Sequence, residues 1–309
     1  MMKKKLEFKN FGATIALIIL VVVIGTISPQ FRTVNNIFSL LRQSSVNGLI
    51  AFGMTFVILT GGIDLSVGAV LALSTVFAAS MISAGVPVPV AVLISLIIGT
   101  VLGLISGFLV SKGRLQPFIA TLVTMTIYRG ITMIYTNGKP ISNLGNSEFL
   151  RFIGRGEFLG IPVPVWILLV TFLIFFFLLK KTVLGRKIYA VGSNQKAAAI
   201  AGVNINKIKL FVYSVSGFMS ALAGIILLSR LGSAQPVLGI GYELDAIAAV
   251  ALGGTSLSGG RGKFYGTLIG VLIIAVLNNG LNILGVSSYY QDVAKGIVIL
   301  IAVLSDKER

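Results

Sequence analysis

Apolar runs of about twenty residues recur along this chain from residue 11 to residue 304. Hydrophobic residues make up 56% of the sequence and charged residues only 11%, whereas soluble domains carry about 25% charged residues. The bilayer core, about 30 Å thick, needs roughly 20 apolar residues in a helix. Continuous runs favour helices over alternating strands. The chain is therefore expected to be an all-α membrane protein that crosses the bilayer many times.

The runs predict ten transmembrane helices in one membrane domain over residues 1–309. Two glycine pairs, Gly61-Gly62 and Gly253-Gly254, mark places where a helix stops and restarts. The predicted spans are 11–28, 44–60, 64–84, 89–111, 117–136, 162–179, 210–229, 244–258, 264–284 and 289–304.

The basic residues orient these spans. With the N-terminus inside, 17 of the 25 Lys and Arg residues fall on cytoplasmic segments, six on outer segments and two within spans. Such a bias is what the positive-inside rule expects, so both termini are predicted to be cytoplasmic. Two long connections result, an extracytoplasmic loop at 137–161 and a cytoplasmic loop at 180–209. The net charge of +16 is attributed to this orientation and not to nucleic-acid binding.

Several kinds of chemistry are disfavoured by the residues present. The chain has no His and no Cys, which removes Ser-His-Asp and Cys-His catalytic sets and the usual zinc ligands. Gly138-Lys139 and Gly262-Lys263 are followed by Pro and Phe, so neither forms a nucleotide-binding P-loop. No catalytic residue, metal or bound cofactor is predicted. Because Asp64 lies at a span end and Asp292 can pair with Lys295 one turn on, ion coupling is also disfavoured.

Three asparagines lie in the ninth predicted span. Asn278 and Asn282 share one helix face, with Asn279 beside them. Two interpretations are open: hydrogen bonds between helices, or a wet pathway that offers amides to a hydroxylated solute. The glycine breaks at 61–68 and 253–260 also resemble each other, by coincidence or through an internal duplication. Interrupted helices in matching positions are typical of a transport path.

The cytoplasmic loop 180–209 carries seven of the 17 inside charges around the stretch Lys196-Ala197-Ala198-Ala199-Ile200-Ala201-Gly202. Alanines followed by Gly predict a short helix with a defined stop. Its Ala-rich face favours docking against another protein over a merely solvated basic loop.

At these residues the sequence resembles the permease subunits of bacterial ATP-binding-cassette importers. Residues 196–202 are similar to the cytoplasmic EAA loop of that family, with Lys196 in place of Glu. Residues 60–68, 241–250 and 252–260 are similar to its monosaccharide-permease branch. The stretch 278–291, with Asn278-Asn279-Gly280-Leu281-Asn282, looks most like ribose permeases.

The resemblance implies a homodimer in the bacterial inner membrane that translocates a monosaccharide, D-ribose above all, by alternating access. The implied partners are a cytoplasmic sugar-import ATPase that holds ATP and Mg²⁺, an extracytoplasmic sugar-binding protein and membrane lipid. The ATPase-coupling loop is assigned Gly185, Arg186, Gly192, Asn194, Lys196, Ala197, Ala198 and Gly202. The translocation path is assigned Asp64, Ser66, Asn278, Asn279 and Asn282.

Three alternatives remain open from the residues alone. One is an ion-coupled secondary carrier for a small polar solute. Another is an importer permease for a different sugar or for a nucleoside. The last is a membrane scaffold that binds a cytoplasmic partner through residues 180–209.

Overall fold

The computed structural model describes the backbone of residues 2–307 and the side chains of residues 12–298 and 300. The N-terminal lysines up to Lys9, and Lys307 and Arg309 at the other end, were predicted to be cytoplasmic; their side chains lie outside the described residues. Thirteen α-helices occur in the described part of the chain. They are α1 (Met2–Ile27), α2 (Val34–Leu59), α3 (Val67–Ser83), α4 (Val88–Ser111), α5 (Pro117–Thr136), α6 (Glu148–Arg155), α7 (Val163–Lys181), α8 (Val183–Ser193), α9 (Gln195–Ile200), α10 (Ile205–Leu231), α11 (Tyr242–Leu252), α12 (Phe264–Ile283) and α13 (Ser288–Lys307).

The polytopic helical architecture is confirmed. Each of the ten predicted spans overlaps one helix, and among the described residues α4, α5, α7, α10 and α12 are long and apolar enough to cross a membrane. Helices α4, α5 and α7 each have a proline at the first or second helical position. Proline is favoured there because the first turn has no use for its missing N–H. The number of crossings and the side of each terminus stay predictions.

Several helix boundaries differ from the predicted spans, and two of them bear on the site. The second helix begins at Val34 and not near residue 44, because Thr33 caps it by accepting a hydrogen bond from the amide of Asn36. The predicted span 244–258 is wrong beyond Leu252, where α11 ends and a non-helical segment runs to Lys263. The predicted breaks are confirmed: α2 ends at Leu59, just before Gly61-Gly62, and α11 ends at Leu252, just before Gly253-Gly254.

Helix α10 forms the centre of the bundle, packed against α2, α3 and α4. Most of its second half is buried, as are residues 44–59 of α2. A stripe of small residues lets α4 and α10 approach closely, since a Cβ on Gly217 would overlap the carbonyl oxygen of Gly99. Many apolar side chains of α4, α5 and α7, among them Leu93, Ile127 and Leu173, are exposed. This exposed apolar surface is suited to lipid contact.

The loop 137–161 is ordered against the bundle. It contains α6 and part of a two-stranded antiparallel hairpin, β1 (Glu157–Phe158) and β2 (Ile161–Pro162). Glu157 forms a 2.9 Å ion pair with Arg42 of α2, and Arg155 donates two hydrogen bonds to the carbonyl of Arg230 at the end of α10. This loop therefore ties the first half of α2 to the end of α10.

Candidate functional site

A polar cavity of about 630 Å³ opens between the start of α2, the ends of α10 and α12, and the starts of α11 and α13. From the charge pattern, this end of the bundle is predicted to face the outside. Fourteen of its 17 lining residues are polar or charged, and eight carry a side-chain amide. The lining residues are Gln30, Asn36, Ser39, Leu40, Gln43, Asn47, Arg230, Tyr242, Asp245, Ala275, Asn278, Asn279, Asn282, Ile283, Ser288, Gln291 and Lys295.

The three asparagines of the ninth span all line this cavity. Asn279 is bound across helices: its amide and that of Asn36 on α2 exchange two hydrogen bonds of 2.8 and 3.0 Å. Asn36 also donates to the carbonyl of Phe31, at 3.0 Å. Hydrogen bonding between helices, one of the two interpretations of the sequence, therefore holds for Asn279.

Asn278 differs from its neighbour. Its Oδ1 atom is buried and has no hydrogen-bond partner in the described part of the chain, and the same is true of Oδ1 of Asn47. Asn47 is only 7% exposed. A buried carbonyl oxygen without a partner costs about 1–3 kcal/mol. Both residues line the cavity, and rotation of either amide would present an unused acceptor to a ligand hydroxyl.

The cavity also holds a charge cluster. Lys295 of α13 lies 3.5 Å from the buried Asp245 of α11 and 3.7 Å from Asp292 on its own helix. The local pair with Asp292 is the one that the sequence predicted; the pair with Asp245 was missed. Since the Asp245 side chain is the more buried of the two, at 9% exposure against 75%, it is the partner that more needs the lysine.

Asp64 and Ser66 lie apart from the cavity, in the break between α2 and α3. One Asp64 oxygen accepts from the amide and the hydroxyl of Ser66, at 3.0 and 2.6 Å, and the other accepts from Ser216 of α10 at 2.7 Å. Asp64 is 1% exposed and Ser66 is fully buried. The carboxylate fixes the start of α3 against α10. Its assignment to the translocation path stays a prediction.

The predicted coupling loop folds into α8 and α9, and the end of α8 touches both glycine breaks. A Cβ on Gly192 would overlap the carbonyl oxygen of Leu59 and lie 2.5 Å from the amide of Gly260. These two groups are themselves joined, since the Gly260 amide donates to the Leu59 carbonyl at 3.0 Å. We call this contact of Gly192, Leu59 and Gly260 the cytoplasmic junction, after the side on which the charge pattern predicts it to lie. A polar cavity of about 380 Å³ lies beside it, lined by Gly192, Ser193, Gly254, Ser256, Ser258, Gly259 and Arg261.

Tyr189 supports the junction from one turn earlier on α8. Its hydroxyl donates to the carbonyl of Gly262 at 3.1 Å. Burial raises the pKa of Tyr189 above its ordinary value of 10.0, because desolvation disfavours the phenolate. The phenol therefore stays protonated and remains a donor at neutral pH. Nothing in the sequence indicated this contact, since the two residues are 73 positions apart.

Helix α9 confirms the short helix predicted from the alanines. Asn194 caps it by accepting from the amide of Ala197 at 3.0 Å, and Gly202 ends it in the left-handed region at φ +80°. Ala198 packs inward, whereas Lys196, Ala197 and Arg186 are exposed; Gly185 packs on the last carbonyls of α7. The most prominent residue is Ile200, which is 89% exposed and was not among the predicted coupling residues.

An apolar helix bundle with a polar cavity at one end and a helical projection at the other is the architecture that the sequence leads us to expect of a polytopic membrane permease. The chain matches a family of transport proteins over residues 36–303, described as branched-chain amino acid transport system, permease component, and it belongs to that family.

The similarity to known proteins extends over nearly the whole chain. It is 58% identical to the ribose import permease protein RbsC of Haemophilus influenzae, over 94% of this chain and 91% of the relative. It is 43% identical to the D-allose transport system permease protein AlsC of Escherichia coli, over 98% of this chain and 93% of the relative. It is 36% identical to the L-arabinose ABC transporter permease protein AraH of Azospirillum brasilense, over 96% of this chain and 87% of the relative. No solved structure matches the chain.

Proposed function

We propose that this chain is the membrane subunit of an ATP-binding-cassette importer for D-ribose in the bacterial inner membrane. Two copies would form the translocation unit, served by a sugar-binding protein outside and by an ATPase that holds ATP and Mg²⁺ inside. The amide-lined cavity carries this proposal. The identity of 58% to a ribose import permease supports ribose over the other sugars named among the relatives.

The cavity suits a neutral polyol. A carboxamide presents both N–H donors and a carbonyl acceptor, so eight amides can match hydroxyl groups that also donate and accept. The volume of about 630 Å³ falls within the range of small-molecule sites, about 300–1,000 Å³. Only three lining residues are apolar, so binding would rest on hydrogen bonds. Asn47 and Asn278 would contribute the acceptors that have no partner without the sugar.

Alternating access would be driven through the cytoplasmic junction. The ATPase would engage α9, where Ile200 stands out as an apolar anchor, and α8 would follow. Because Gly192 rests on Leu59 and Gly260 together, a shift of α8 would move the end of α2 and the non-helical segment between α11 and α12 in one step. ATP can bias the permease in this way only if the ATP-bound ATPase favours one of its two states.

Reconstitution in lipid vesicles tests the proposal. The chain, its ATPase and its binding protein are expected to import ribose when ATP is supplied on the ATPase side, and to import none without ATP. A sodium or proton gradient alone should not drive uptake. Gradient-driven uptake by the chain without an ATPase would replace the importer by a secondary carrier. Stronger import of D-allose or of a nucleoside than of ribose would reassign the substrate.

A coupling-loop variant separates the importer from a scaffold. Gly202 has φ +80° and open space around it, so Gly202→Val strains the end of α9 without disturbing the bundle. Ribose uptake should be lost while the amount of protein in the membrane is unchanged. Normal uptake would count against a coupling role for this loop.

A further inference from the structure

The segment 232–241, between α10 and α11, enters the bundle without forming a helix. It starts beside the outer loop, where Ala234 and Ile141 pair in an antiparallel bridge. It is then held by Arg129 of α5, whose Nη1 atom donates to the carbonyls of Pro236 at 2.6 Å and Leu238 at 2.8 Å. These two bonds fix the path of the segment along the side of α5.

The position of Arg129 gives the depth of this segment. Arg129 lies seven residues before the end of α5 and twelve after its start. At 1.5 Å per residue it is about 10 Å from one end of the helix and about 18 Å from the other. Gly239 lies deeper still, against Gly68 near the start of α3; a Cβ on Gly68 would overlap the Gly239 carbonyl. The segment therefore descends to about the middle of the bilayer.

The outer face of this segment is uncovered in the single chain. Val237 is 48% exposed, Ile240 65% and Leu244, in the first turn of α11, 52%. Within the described part of the chain the amides of Val237 and Ile240 donate no backbone hydrogen bond. Non-helical backbone at this depth does not occur against lipid, because nothing there can pair with its polar groups. Lipid is therefore excluded as the cover, which leaves protein or water.

We propose that Val237, Ile240 and Leu244 form the surface through which two copies of this chain associate, with the non-helical segment at the two-fold interface. This inference rests on the proposed function in that the importer contains two permeases. A protein cover is favoured over water because all three side chains are large and apolar. They carry no charge, so the same patch can meet itself across a two-fold axis without like-charge repulsion, as an isologous interface requires.

Cysteine cross-linking tests the interface directly, since the natural chain has no cysteine. Ile240→Cys and Leu244→Cys are made singly, with Ile97→Cys and Leu173→Cys as controls of similar exposure, 53% and 63%, on α4 and α7. Membranes holding the full importer are treated with an oxidant or with a thiol cross-linker that has a flexible spacer. A species of twice the chain mass is expected at 240 and 244, with at least tenfold less at 97 and 173.

Uptake by the untreated variants separates this inference from the proposed function. If they import ribose normally and neither reagent yields a dimer at 240 or 244, the interface is wrong and the function stands. Equal dimer yields at the two control positions would also overturn the interface, as would cross-linking of 240 to a different protein. If the unmodified chain with its partners imports no ribose, the proposed function fails, whatever the cross-links show.

Discussion

The side-chain amides of Asn36 and Asn279 exchange two hydrogen bonds, 2.8 and 3.0 Å long, between α2 and α12 at the wall of the polar cavity. Each amide satisfies the other, so this pair holds two helices together. Asn278, the next residue on α12, has an unused carbonyl oxygen in the same cavity. Adjacent asparagines therefore differ, since Asn279 joins two helices and the carbonyl oxygen of Asn278 has no partner in the described part of the chain.

The reciprocal pair should be measurable as a coupling energy. We expect Asn36→Ala and Asn279→Ala each to lower stability, and the double variant to lose less than the sum. Polar pairs between membrane helices are worth about 0.6 kcal/mol on average and up to about 1.7 kcal/mol. A double-mutant cycle on unfolding in detergent measures the coupling. Strict additivity of the two losses would show that the pair contributes nothing.

Asn278→Ala should reduce ribose uptake without reducing stability, unlike Asn36→Ala and Asn279→Ala. Because its carbonyl has no partner in the chain, removing it relieves a desolvation cost, and the unfolding temperature should not fall. Loss of one hydrogen bond to the sugar, worth about 1.5 kcal/mol, should lower ribose uptake at low sugar concentration about tenfold. Asn279→Ala is the matched control, with lower stability. Unchanged uptake by a normally folded Asn278→Ala would remove this residue from the sugar site.

The sequence predicted most of the helices because a bilayer imposes one length on every crossing, and that length is visible as an apolar run. The helix breaks could also be predicted, because paired glycines are a local signal for the end of a helix. Contacts between distant residues were not: Asn36 and Asn279 are 243 positions apart, and no periodicity indicates which helices are neighbours. Ile200 was missed for another reason. In a chain that is 56% hydrophobic, one more apolar residue does not stand out in the sequence. Only the structure shows that Ile200 is exposed.

The cytoplasmic junction should not tolerate a side chain at Gly192. In Gly192→Ala the new methyl group would overlap the Leu59 carbonyl and push α8 away from both breaks. We expect ribose uptake to be lost while the ATPase still binds and hydrolyses ATP. Gly130→Ala on α5 is the control, since no atom lies within 4 Å of its Cβ position. Normal ATP-driven ribose uptake by Gly192→Ala would show that the junction does not transmit the movement of α8 to the two breaks.

The ion pair between Lys295 and Asp245 should stabilise the protein because it neutralises a buried carboxylate. Lys295→Met leaves Asp245, whose side chain is 9% exposed, without its cation, and this should destabilise the protein by about 3 kcal/mol. Adding Asp245→Asn to that variant removes the unpaired charge and should restore most of the loss. Detergent unfolding of the two variants measures both effects. If Asp245→Asn deepens the loss, the pair is not what stabilises this corner of the cavity.

Ile200 should act as the anchor for the ATPase. It is 89% exposed at the end of α9, so Ile200→Ser should leave the unfolding temperature unchanged. Burying an isoleucine in a partner is worth about 1.5–3 kcal/mol, so the Kd for the ATPase should rise at least tenfold. Titration of the ATPase onto the permease in detergent measures this. Val183→Ser, at 56% exposure on the first turn of α8, is the control and should bind normally. Equal Kd values for Ile200→Ser and the unmodified chain would place the docking contact elsewhere on the loop.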